Sequence, residues 1–298
     1  MGLLSLLTSR LGVADPIETD RLGERYEELR RHVLGAATAA EPGTEPFRHC
    51  YIEQVFPDWF YGDLMKLKRG LIASGRIRAR TQDNATFVNR RSPLANATAP
   101  EARMFRALFE DDAIRRALLS KFYLDVGPEL LGHVGIHHDE FEFVFCAPDL
   151  FQNIHVDIPP KYLSFVFYFP SGDLTPEEED RNATLLYDRD LEPVYGAKFR
   201  PNSVCVFAPH FHSYHGFSTT VPRDVIVMFL VNRKELKRWN RERTGKGDTG
   251  PDFSLISEMT ETKLRRFPLI EYGRDHARIA EECERTQINA PQGRVMLD

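Results

Sequence analysis

The stretch "NIHVDIPP", residues 153–160, sets His155 and Asp157 two positions apart. In an extended segment residues i and i+2 project to the same face, so an imidazole and a carboxylate here reach one cation together. The same spacing recurs at His137 with Asp139 and at His138 with Glu140. No second signal accompanies those two, and they read as polar residues of a turn ahead of the strand-like "FEFVFCA". For His155 and Asp157 the second signal is "PHFHSYHGF", which offers His210, His212 or His215 as a third ligand. The segment "SVCVFAP" reads as a strand ending at Pro209, and residues 214–229 read as a hairpin turning near Thr219. In that register His215 faces Arg223 across the ladder, which favours His215 over its neighbours.

Two imidazoles and one carboxylate on one face, with the other positions open, form the facial triad typical of non-haem Fe(II) centres that activate dioxygen. Such a centre keeps one net positive charge and about three free positions. An anionic, bidentate 2-oxo acid fills two of them and dioxygen the last. The rigid donor fork of Arg223 suits the far carboxylate of a dicarboxylic co-substrate.

The elements that must position these groups change character along the chain. Up to about residue 130 the pattern is helical: "TDRLGERYEELRRHVLGAA", "DWFYGDLMKLKRGLIASG", and two or three helices in residues 99–134, broken near Gly127 and Pro128. Residues 76–100, with Arg76, Arg78, Arg80, Arg90 and Arg91, read as a loop-rich stretch, a candidate lid for an acidic substrate. Asn153 and His212 join Arg76, Arg78 and Arg80 as candidate substrate contacts. From about residue 140 short runs rich in Phe, Val, Ile and Tyr dominate: "FEFVFCA", "KYLSFVFYFP", "ATLLYD", "SVCVFAP" and "RDVIVMFLVN". With no helix-length pattern between them, they argue for an antiparallel sandwich or barrel. "YLSFVFYF" and "DVIVMFLV" are apolar on both faces, as central strands packed under helices are. Charged helical patterns return after Asn232, at "RKELKRWNRERTGKG", "MTETKLRRF" and "YGRDHARIAEECERT". Helices, then a β core, then helices fit one domain with a covered sheet.

With 298 residues, 42% of them hydrophobic, the chain can bury a substantial core, and a net charge of −5 gives no general attraction for nucleic acid or anionic membrane. The four cysteines lie far apart with no CxxC pair, which points to reduced intracellular thiols. "MGLLSLLTSRLGVADP" makes a poor signal peptide, and no stretch approaches the length of a membrane span. A cytoplasmic protein is expected, and the Asn-Ala-Thr sequons at Asn84, Asn96 and Asn182 read as chance.

The order His155-x-Asp157, then His215-Gly216-Phe217, then Arg223 heading an apolar strand resembles the Fe(II)/2-oxoglutarate-dependent dioxygenases, more narrowly their bacterial prolyl-4-hydroxylase-like members. The segments "PFRHCYIEQVFPDWFYGDLMKL" and "YLSFVFYFPSGD" are also similar to that group, so the resemblance covers residues 46–233. It implies an α+β fold: a double-stranded β-helix, or jelly-roll, core at about residues 131–233, with helical extensions at 1–45 and 234–298. It implies Fe(II) on His155, Asp157 and His215, 2-oxoglutarate held by Arg223 with Tyr168 and Ser164 nearby, dioxygen as oxidant, and oxidation of a C–H bond of a small molecule, amino acid or natural product. There are two departures. The family's Gly-Gly-Glu-Leu stretch stands here as "RNATLLYD", and Arg223 follows the distal His sooner than is usual. Rival expectations are a cupin-like module that binds without catalysis and a zinc hydrolase built on the same triad.

Overall fold

A computed structural model describes residues 16–74, 78–82, 87–95, 97–244 and 253–267. The chain opens with α1 (Pro16–Ala39), β1 (His49–Glu53), α2 (Asp58–Ala73), β2 (Arg78–Gln82), β3 (Phe87–Pro93), α3 (Pro100–Glu110), α4 (Asp112–Leu119) and α5 (Pro128–His133). Strands β4 (Val134–Ile136), β5 (Glu142–Cys146), β6 (Phe151–His155) and β7 (Lys161–Tyr168) follow, then α6 (Pro176–Arg181), β8 (Thr184–Tyr187), β9 (Pro193–Ala197), β10 (Ser203–Phe207), β11 (His215–Ser218) and β12 (Arg223–Asn232). Helices α7 (Arg233–Thr244) and α8 (Phe253–Leu264) complete the described chain.

All the strand pairs are antiparallel and fall into two sheets. The eight-stranded sheet runs β1-β10-β7-β12-β5-β3-β2, with β4 beside β12; the four-stranded sheet runs β6-β11-β8-β9. The alternation of side chains explains the layers. From β7, Leu163, Phe165 and Phe167 turn into a large core shared with Leu29 of α1, Phe60 of α2 and Phe105 of α3. Tyr168 and Val166 turn the other way, into a core shared with Leu186 and Phe217 of the small sheet. The two doubly apolar strands are thus the central neighbours β7 and β12, as their composition requires.

Three expectations are corrected. The stretch 76–100, read as loop-rich, holds the paired strands β2 and β3, with Arg78 opposite Arg91 and Arg80 opposite Asn89; β2 is the edge strand, a place its charges suit, and β3 lies between it and β5. The strand-bearing half also holds the six-residue helix α6, started by a reciprocal cap between Thr175 and Glu178. Most consequential, residues 214–229 are not a hairpin. β11 pairs with β6 and β8, while both edges of β12 are taken by β4, β5 and β7. The linker between them crosses from one sheet to the other, pinned by buried Asn182, whose Oδ1 accepts from Thr219 Oγ1 at 2.9 Å and Thr220 N at 2.6 Å. Of the sequons, Asn84 and Asn96 lie outside the described residues, as do Cys283 and the helical pattern of residues 272–286.

Candidate active site

His215 faces His155, not Arg223, across the ladder, and its ring lies 4.1 Å, centroid to centroid, from that of His155. Asp157 follows β6 by two residues, and its Oδ2 sits 4.0 Å from His215 Nε2. One ligand atom each from His155, Asp157 and His215 fall within 4.8 Å of one another. His210 and His212 are buried elsewhere: His210 lies edge-on to Phe47 and Phe267, and its Nδ1 accepts from the backbone N–H of His212. Of the three clustered histidines, the fold brings His215 to the pair.

At His215 the local bonding leaves a lone pair where a cation needs one. His215 Nδ1 donates to the carbonyl of Ser213 at 2.9 Å, which fixes the tautomer with Nε2 unprotonated. Burial, with the neighbouring His155, pushes the His215 pKa down to about 3, so the ring is neutral at pH 7. The amide of Gln152 stands 3.1 Å from His155 Nε2. The Asp157 carboxylate is largely withdrawn from water, which favours its protonated form, but the ammonium of Lys161 beside it outweighs this and keeps it ionised. A neutral His215 imidazole and an ionised Asp157 are the protonation states a divalent metal requires of them.

Around Asp157 lie groups that the sequence reading assigned differently or passed over. Ser164 Oγ donates to Asp157 Oδ2 at 2.6 Å, so it touches the candidate ligand itself. Lys161 Nζ lies 2.8 Å from Asp157 Oδ1 and 2.9 Å from Glu140 Oε2. Its ammonium also sits 3.3 Å from the ring centroid of Phe229. Glu140 belongs to the His138–Glu140 turn between β4 and β5, where both short strands share one edge of β12. The turn expected there is present, and it delivers a carboxylate to the site.

Arg223, at the start of β12, is 2% exposed and lies between the sheets. Its Nη2 donates to Thr184 Oγ1 at 2.7 Å, and its guanidinium carbon lies 3.9 Å from the ring centroid of Phe217. Tyr168 donates to the same Thr184 oxygen at 2.7 Å and offers its ring 5.5 Å from the Arg223 guanidinium carbon. Among the described residues no carboxylate pairs with Arg223, and burial lowers its pKa. By contrast Lys68, also buried, is matched by Asp224 at 3.0 Å. A buried guanidinium without an anion is costly, and the cost is relieved by an anionic ligand.

Of the candidate substrate contacts, Arg76 lies outside the described residues. Arg78 and Arg80 lie on β2 and Asn153 on β6, with side chains outside the described set, and His212 is buried beside His210. The signals that would have found Lys161 and Glu140 are weak: a lone Lys at the head of an apolar strand, and an acidic residue in a turn.

No protein-family model matches the chain, and no curated protein matches it. Among solved structures it is similar to a Pseudomonas putida prolyl-4-hydroxylase, with a TM-score of 0.49 and 15% identity over 68% of this chain and 99% of that one. It is similar to a Trichoplax adhaerens prolyl hydroxylase in complex with a peptide fragment, with a TM-score of 0.48 and 13% identity over 71% and 92%. A Phytophthora capsici prolyl 4-hydroxylase gives a TM-score of 0.47 and 14% identity over 89% and 90%. Likeness at this level decides no function, which rests instead on the site. No helix among the described residues is long and apolar enough to cross a membrane.

Proposed function

We propose that the chain is an Fe(II)- and 2-oxoglutarate-dependent dioxygenase whose two sheets form a double-stranded β-helix core, with residues 46–233 as the catalytic domain. The observation that carries this reading is a pairing. A His-Asp-His group fit for a divalent metal and a buried Arg223 that no carboxylate pairs among the described residues both line the space between the sheets. The donor set fits Fe(II), since two neutral imidazoles and one carboxylate leave room for a chelating co-substrate. When bound, iron and 2-oxoglutarate supply oxidation of a C–H bond by dioxygen, with loss of carbon dioxide and formation of succinate.

The chain's own residues have separate tasks. His155, Asp157 and His215 would hold the metal. Arg223 would take the C5 carboxylate of 2-oxoglutarate in a fork of charge-assisted hydrogen bonds, steadied by Thr184 and flanked by Tyr168. Phe199, Phe207 and Phe217 give that space an apolar wall, which strengthens the ion pair by excluding water. Ser164 serves Asp157 rather than the co-substrate. The primary substrate is a small molecule, an amino acid or a natural product, met on the β2–β3 side where Arg78 and Arg80 lie.

The test is oxygen-dependent release of succinate from 2-oxoglutarate by iron-loaded protein, with Asp157→Ala as control. Turnover that needs zinc and no oxygen would replace this reading with a hydrolase. Binding of ligand without turnover across a broad substrate panel would replace it with a cupin-like module.

A further inference from the structure

Resting on that reading, we infer that Lys161, itself held by Glu140, is a positioning residue that confines Asp157 to binding the metal through one oxygen, Oδ2. The two oxygens of Asp157 have different surroundings. Oδ2 faces the histidines, 4.0 Å from His215 Nε2, and accepts one hydrogen bond, from Ser164 Oγ. A carboxylate oxygen has two lone pairs, so it can keep that bond and still ligate. Oδ1 is turned away onto the ammonium of Lys161 at 2.8 Å. That ammonium has little freedom to leave. Lys161 is 6% exposed, and Glu140 Oε2 at 2.9 Å and the Phe229 ring at 3.3 Å close in on it. Its backbone is fixed too: its N–H donates to the carbonyl of Ile158, and its own carbonyl accepts from buried Lys263 at 2.9 Å.

The consequence concerns the count of open positions. A triad that binds through three atoms leaves three positions in an octahedron, enough for a bidentate 2-oxo acid and for dioxygen. A carboxylate that chelates through both oxygens leaves two, and the co-substrate fills them. By occupying Oδ1, Lys161 keeps the position that dioxygen needs. Glu140 makes this possible: with Asp157 it gives the buried ammonium two counter-charges, one of which the metal can share. The ammonium works against metal affinity by simple charge repulsion, so its placement here is explained by geometry and not by attraction for the ion.

The experiment uses nitric oxide as the probe of the open position, on protein loaded with Fe(II) and 2-oxoglutarate without oxygen, and reads the EPR signal of the nitrosyl adduct. In Lys161→Met, iron binding is expected to be kept or tightened, while nitric oxide affinity falls by at least about tenfold, the scale for loss of a group that orients a ligand. Because Lys161→Met leaves the half-buried Glu140 without its ammonium partner, the double variant Lys161→Met/Glu140→Gln, which removes one charge of each sign, is measured beside it and is expected to behave alike. Nitric oxide binding at wild-type affinity in either folded variant overturns the inference. So does a folded double variant that loses iron itself, since Lys161 would then serve the stability of the site and not its coordination number. Failure of the wild type to bind 2-oxoglutarate at iron would instead overturn the dioxygenase reading.

Discussion

Replacing Arg223 with Met separates function from stability more sharply than any other change at this site. Met keeps the aliphatic stem and removes the charged guanidinium that lies over Phe217, and Thr184 Oγ1 keeps its hydrogen bond from Tyr168. Losing one partner of a buried, hydrogen-bonded charge pair costs about 2–5 kcal/mol. The dissociation constant for 2-oxoglutarate should therefore rise by roughly 30- to 4,000-fold, read by calorimetry on the iron-loaded protein without oxygen. The ligand-free protein should move the other way. A 2%-exposed guanidinium with no carboxylate among the described residues is desolvated without compensation. Against that, the bond to Thr184 is worth about 1 kcal/mol, so removing the charge should stabilise the fold by a net 1–3 kcal/mol or so. At about 2–4 °C per kcal/mol the melting temperature rises by several degrees. Iron affinity should not change. A folded Arg223→Met protein that binds 2-oxoglutarate within about threefold of wild type, or one that melts lower, would refute the reasoning, because Arg223 would then be a structural cation.

Three further outcomes follow from the same structure. His215→Ala should abolish stoichiometric iron binding while leaving the far-UV spectrum intact, whereas His210→Ala should keep iron, because only His215 of the cluster meets His155 and Asp157. Lys68→Met should destabilise the protein to urea by about 3–5 kcal/mol by stranding buried Asp224, with Lys68→Met/Asp224→Leu recovering much of that loss. Lys263 is buried, and its pKa falls from 10.5 to about 7. Between those values the unfolded chain binds the extra proton, so the stability of the wild type relative to Lys263→Met should increase from pH 7 to pH 10.5, by up to about 5 kcal/mol. Equal pH profiles of the two melting temperatures would contradict this.

The parts of the site readable in the sequence were those set by local geometry. His155 and Asp157 declare themselves because the period of an extended chain is short, and β7 and β12 because a strand covered on both faces must be apolar on both. The register of β11 was not readable. "SYHGFSTTVPRDV" carries the alternation and turn residues of a hairpin, and what forbids one lies elsewhere: β4, β5 and β7 fill both edges of β12, and Asn182 holds the crossing. His215 does not face Arg223, the partner a hairpin would give it, and it meets His155 because the linker crosses between sheets. Arg78 and Arg91 read as loop because charge hides the alternation of the edge strand β2 and of β3 beside it. Lys161 and Glu140 were invisible for a further reason. They come from segments about twenty residues apart that meet only when β12 gathers β4, β5 and β7 around it, and a single Lys or Glu carries no spacing to read.

The measurement closest to the central claim is the absorption spectrum of the protein with Fe(II) and 2-oxoglutarate in the absence of oxygen. The wild type should show a weak visible charge-transfer band, absent from Asp157→Ala and restored in Arg223→Met only at much higher 2-oxoglutarate. Folded, iron-loaded wild type that shows no such band at saturating 2-oxoglutarate would contradict the claim.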